Sequence, residues 1–119
     1  MSALSDAMGA MVGRFREAGV SATTDIRNLN PPGVVVTLPT LRPRFGKRSC
    51  DVDGVAFLVV ANAGNPGALA ALSECMGQIL ESGIYAFTRA EPYDMALPGG
   101  GDPAPAYRIE WTMTIPMEG

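Results

Sequence analysis

From Tyr107 to Ile115 the chain alternates without a break. Tyr107, Ile109, Trp111, Met113 and Ile115 are apolar, and Arg108, Glu110, Thr112 and Thr114 between them are polar. Successive side chains of a strand point to opposite faces, so this pattern predicts a strand with one face on a core and one toward water. Such a strand needs neighbours and a layer over its apolar side.

Other segments supply both. Leu4, Ala7, Met8, Met11 and Phe15 recur at helical spacing, with Ser5, Asp6, Arg14, Arg16 and Glu17 mostly opposite them, which predicts a helix over about residues 2–18 ended by Gly19. Residues 20–26 and Val34–Leu38 read as short β-branched strands, the second stopped by Pro39. Cys50–Ala61 is the most hydrophobic stretch and predicts a central strand covered on both faces; Asp53-Gly54 as a hairpin turn is the alternative. Asn65 and Pro66 fit a helix start, and Leu69, Leu72, Met76, Ile79 and Leu80 then line one face of a helix ending near Ser82-Gly83. Residues 84–91 predict a strand with Tyr85, Phe87 and Arg89 on one side. The expected fold is α+β: a mostly antiparallel sheet of about five strands with two helices, in the order α-β-β-β-α-β-β. Exposed loops are expected near 39–49 and 92–106, where prolines, glycines and charges gather; the stretch 39–48 reads as an exposed loop or the tip of an extended hairpin, from which alternating Arg42 and Arg44 would point one way.

Composition narrows the chemistry. At 119 residues the chain is expected to form a single domain over 1–119, and 47% hydrophobic against 18% charged residues makes it globular rather than disordered. There is no histidine, which removes the commonest general base and the commonest transition-metal ligand. Cys50 and Cys75 alone cannot supply a four-ligand zinc site and read as buried free thiols, with a single disulfide as the alternative. Gly99–Gly101 precedes Asp102-Pro103 instead of a helix with a cation, so a flexible loop fits it better than a phosphate cradle. Asp51 and Asp53 share a side of an extended segment, where metal binding or acid–base work competes with simple solvation. The expectation is a chain without enzymatic activity, cofactor or metal. No signal peptide or membrane span is read, so synthesis in the cytoplasm is expected.

One charge feature stands out. Arg42, Arg44, Lys47 and Arg48 place four of the nine cations within seven positions of a chain whose net charge is −3. They read either as an arm contacting an acidic partner or phosphate, or as a solvated loop keeping a sheet edge apart.

Three segments carry a likeness: Asp25-Ile-Arg-Asn-Leu-Asn-Pro-Pro-Gly-Val-Val-Val36, Asn65-Pro-Gly-Ala-Leu-Ala-Ala-Leu72 and Pro105-Ala-Tyr-Arg-Ile-Glu-Trp111. With the element order, they make the chain resemble the tail terminator proteins of long-tailed, non-contractile bacteriophages, such as those of actinobacteriophages. The resemblance implies a virion structural protein, made in the host cytoplasm and placed at the tail–neck junction. About six copies would form a ring on the tail tube, stop its polymerisation and join the tail to the head-side connector or stopper protein. DNA would pass through the lumen without specific binding. The family transfers no catalytic or ligand residue. The expectation that Arg42, Arg44, Lys47 and Arg48 form an inter-subunit or tube-contacting arm rests on charge and loop composition alone. A head-completion or stopper protein of the neck, a small-ligand binding module or ferredoxin-like enzyme, and a nucleic-acid binder using the 42–48 loop stay open as alternatives.

Overall fold

The structure is a computed structural model that describes residues 3–29, 31–44, 49–60, 65–81, 87–96 and 103–116. Its elements are α1 (Ala3–Glu17), β1 (Ser21–Thr23), a 3-10 turn (Ile26–Asn28), β2 (Gly33–Val36), β3 (Thr40–Pro43), β4 (Ser49–Val59), α2 (Asn65–Glu81), β5 (Phe87–Met95) and β6 (Ala104–Pro116). The fold is α+β, as expected, with two helices and six strands in one sheet.

Helix α1 forms because its apolar residues recur along one face, and Ala7, Met11, Val12 and Phe15 are buried. Burying side chains such as Met11 and Phe15 contributes about 2–3 kcal/mol each. Its end is built by Gly19, whose φ of +93° puts the chain in the left-handed region. There Gly19 N–H donates to Arg16 O at 3.0 Å and Val20 N–H to Phe15 O at 3.1 Å, a Schellman closure of the last turn. Helix α2 buries Ala68, Leu72, Cys75 and Ile79. The expected stripe is rotated here: Leu69 and Leu80 face solvent and Met76 is half-buried, because more than one face of this helix is apolar.

The sheet order is β1-β2-β4-β6-β5, with β3 paired to the free half of β4. Only β1 and β2 are parallel. The long β4–β6 ladder runs from Ser49↔Pro116 to Val59↔Ala106. Its even-numbered β4 residues and odd-numbered β6 residues share the helix-bearing face, so the predicted alternation of β6 is realised: Ile109 and Trp111 lie in the main core, with Tyr107, Met113 and Ile115 packed against it.

At one rung Gly54 sits opposite Trp111. A Cβ on Gly54 would lie 2.1 Å from two carbons of the indole, so the ring rests directly on the β4 backbone. Asp53-Gly54 is therefore mid-strand, not a hairpin turn.

Other expectations are revised. Strand β4 alternates between buried and half-buried positions until Leu58, so the helices cover one of its faces and not both. On the other face, Val59, Ala104 and Ala106 form a small second cluster with Leu29, Phe57 and Met95 around it. Of the two readings of the 39–49 stretch, loop or hairpin, the hairpin holds, with β3 as a sixth strand paired to β4, and the long 92–106 connection is shortened because β5 reaches Met95 and β6 starts at Ala104. A bulge between Phe87 and Arg89 puts these two on opposite faces, where unbroken alternation predicted one. Lys47, Arg48, residues 84–86, Ser82-Gly83 and Gly99–Gly101 lie outside the described residues.

The strand edges are blunted. β5 carries the bulge, Pro92 and the charges Arg89, Glu91 and Asp94; β1 is three residues long; β3 is bounded by Pro39 and Pro43. Such features oppose edge-to-edge pairing. The molecule measures 51 × 31 × 21 Å with a radius of gyration of 15.1 Å. A compact chain of this length has about 13.5 Å, so the body is drawn out along the long strands.

Candidate functional site

The face of the sheet away from the helices is charged at the β3 end. Register places Thr40 beside Asp53, Arg42 beside Asp51, and the two aspartates beside Thr112 and Thr114 of β6. Arg42 reaches diagonally to Asp53 through Nε and through Nη2, the latter at 3.2 Å from Oδ1. Arg44 Nε donates to Asp51 Oδ1 at 2.9 Å. From the other side Thr112 Oγ1 donates to Asp53 Oδ1 at 3.0 Å and Thr114 Oγ1 to Asp51 Oδ1 at 2.9 Å. Each carboxylate is thus held between an arginine and a threonine of different strands.

These bonds favour the ionised carboxylates. The Thr114 hydroxyl, followed by Arg44, holds Asp51 below the usual carboxylate range, and Arg42, followed by Thr112, does the same for Asp53. Arg42 is pushed up by its bond to Asp53. Farther along the same face Arg89 Nη2 lies 3.0 Å from Glu91, and Arg108 Nη1 lies 3.4 Å from both Glu91 and Glu110. Together the two lattices match four arginines with four carboxylates. A phosphate approaching Arg42 or Arg44 would compete with a carboxylate already seated there.

Of the four cations expected to form an arm, the structure puts Arg42 in the β3–β4 hairpin and Arg44 just after β3, both bonded to carboxylates. Sequence reasoning also placed Asp51 and Asp53 on one face, which holds, but left them solvated. Thr112 and Thr114, and the Arg89–Glu91–Arg108–Glu110 set, were not singled out as partners. The polar phase of β6 was the available signal; the strands facing it were not specified.

On the helix side, an open cleft of about 500 Å³ lies between α2 and the β5–β6 ladder. Leu69, Leu72, Tyr93, Asp94, Pro105 and Tyr107 are among its walls. Five large apolar side chains of the described residues are exposed: Leu38 at 79%, Leu80 at 68%, Leu69 at 58%, Tyr93 at 45% and Leu41 at 44%. Leu69 lines this cleft and Leu38 and Leu41 flank or belong to β3, whereas the Tyr93 ring packs on Phe57 at a centroid distance of 4.9 Å on the face away from the helices.

Cys50 and Cys75 are both buried free thiols, and burial pushes the Cys75 thiol up. Among the described residues, no group of three or more Cys, Asp or Glu side chains is placed to hold a metal ion. No helix among them is long and apolar enough to cross a membrane. No protein-family model matches the chain, and no curated protein matches it.

Proposed function

We propose that the chain is a virion structural protein of the tail terminator kind, acting through contact surfaces rather than catalysis. On this reading copies form a ring on the tail tube, stop its growth and present a docking face to the head-side connector. Arg42 in β3 and Arg44 just after it, together with Lys47 and Arg48, which lie outside the described residues, are the cations assigned to contact with a neighbouring subunit or the tube. The proposal begins from the resemblance in the 25–36, 65–72 and 105–111 segments and from the α+β element order that joins them.

The observation that carries it is the way charge is used on the open face of the sheet. Asp51, Asp53, Glu91 and Glu110 are each paired with arginines within the chain, which balances the charge of this surface. A neutral, hydrogen-bonded surface suits shape-based packing among subunits. It also suits a ring through which DNA slides without being held, since phosphate binding needs cations free to replace counterions.

The test is electron microscopy of particles made when the gene is silenced in its parent genome. Overlong, unjoined tails beside filled heads are the expected result. Tails of normal length lying free beside heads would assign the chain to the head side of the neck, as a completion or stopper protein. Normal virions would overturn both structural readings.

A further inference from the structure

We propose that the exposed side of α2, together with the cleft beside it, docks an amphipathic helix of another protein whose polar residues are lysines or arginines. The inference stands apart from the ring reading, because it rests on the helix side of the molecule and not on the open face of the sheet.

Its starting point is where charge is left unmatched. The described residues contain seven arginines and ten carboxylates. Arg27 pairs with Asp25, and the two lattices of the open face match four arginines with four carboxylates. On α1, Arg14 and Arg16 balance Asp6 and Glu17 in number. What remains is Glu74 and Glu81 on α2 and Asp94 on β5, all three exposed and none in an ion pair among the described residues. The acidic excess of the described chain is therefore gathered on one side of it.

The same side carries apolar side chains with nothing over them. Leu69 and Leu80, at 58% and 68% exposure, lie about three helical turns apart and so form one row along α2. Glu74 and Glu81 lie about two turns apart in a second row. Ala70 and Gly77 run between the rows, and a Cβ on Gly77 would meet nothing within 4 Å. Small residues there let a partner's backbone come close, with the leucines on one side of it and the glutamates on the other. The leucine row borders the cleft, since Leu69 lines it with Leu72, Pro92, Pro105 and Tyr107, and Asp94 is the charged residue of its lining.

A helix fits such rows because its own side chains repeat at the same spacing. It must bring apolar residues to cover Leu69 and Leu80, and cations to face the three unmatched carboxylates. Nucleic acid and anionic lipid present phosphates, which these carboxylates repel. A second copy does not supply the complement. Five of the seven described arginines are paired internally, and Arg14 and Arg16 share α1 with Asp6 and Glu17. The occupant is a basic segment of a different protein.

The test uses the full chain and the fluorescence anisotropy of two labelled peptides of about fifteen residues, built from leucine, alanine and lysine. In the first, leucines recur at helical spacing on one face; in the second, the same residues are scrambled. At about 50 mM salt the first is expected to bind with a Kd on the order of 10–100 μM, and the second at least about tenfold more weakly. E74Q/E81Q/D94N and L69S/L80S, which change exposed residues alone, should each weaken the first peptide about tenfold with circular dichroism unchanged. Should either multiple variant lose its fold, D94N and L69S singly are expected to weaken binding about threefold. Equal binding of both peptides, variants that bind the first at wild-type strength, or no binding up to about 1 mM would overturn the proposal. So would self-association of the wild type in sedimentation velocity that L69S/L80S abolishes, because a second copy would then own the surface.

Discussion

Replacing Gly54 with alanine tests the close approach of the Trp111 ring to the β4 backbone. The added methyl would stand 2.1 Å from Cε2 and Cζ2 of Trp111 and 2.6 Å from its Nε1, where ordinary contact begins near 3.4 Å. The indole would have to retreat by roughly 1.3 Å. It is 1% exposed, with the core on its other side, so the movement must come from off-rotamer side chains and shifted strands. Overpacking of this kind costs about 1–3 kcal/mol and occasionally more. Against it stands the smaller backbone entropy of alanine in the unfolded chain, worth about 0.5–1 kcal/mol. The clash wins, and G54A should lose about 2 kcal/mol. For a domain of this size that is a fall in Tm of roughly 8 °C. Trp111 is the single tryptophan, so its emission during thermal unfolding reports the site directly. Pairing G54A with W111L should cost less than the sum of the two single changes, since the smaller side chain makes room for the methyl. A G54A chain with unaltered Tm and emission maximum would refute the claim that the ring lies on the β4 backbone.

Three further outcomes are expected. Asp51 and Asp53 have depressed carboxyls, so the stability they contribute is present above the unfolded value near pH 4 and is lost as pH falls through their folded values. Acid melting curves of D51N/D53N should therefore decline less steeply below about pH 4 than those of the wild type, and parallel curves would contradict the bonding described. Gly9, Gly13 and Gly77 are helical, and a Cβ on each would meet nothing within 4 Å. Each change to alanine should add up to about 1 kcal/mol, read as a rise in Tm. Cys75 is buried with a raised thiol and Cys50 is buried, so a thiol reagent at neutral pH should label the folded chain slowly and both cysteines at once in denaturant.

The parts of the fold legible in the sequence are those whose signal is local. The alternation of 107–115 needs no knowledge of neighbouring strands, and Gly19 ends α1 through its own backbone. Strand β3 was legible only as one of two readings, loop or hairpin, because Thr40–Pro43 is bounded by prolines and all its residues are exposed; pairing with β4, not propensity, makes it extended. The facing of α2 was misread at Leu69 and Leu80, since a helix with apolar residues on more than one side does not announce which side is covered. The bulge at Thr88 left no mark in the pattern. At the candidate site the charged residues could be named but not matched, because Arg42 meets Asp53, and Asp53 meets Thr112, only once three strands are in register.

The β4–β6 ladder also governs the order in which the chain can assemble. The β3–β4 hairpin closes its nearest rung between Pro43 and Cys50, and the β5–β6 hairpin between Met95 and Ala104, both short journeys for the chain. The nearest rung between β4 and β6 joins Val59 to Ala106, 47 residues away, and the farthest joins Ser49 to Pro116, 67 away. Closing the 47-residue loop rather than the 7-residue one costs about 2 kcal/mol more in chain entropy. Two preformed hairpins should therefore meet along a central seam late in folding, on the slower timescale of topologies rich in distant pairings. Trp111 settling onto Gly54 lies on that seam, so the rate at which its fluorescence matures would time the joining of the two halves.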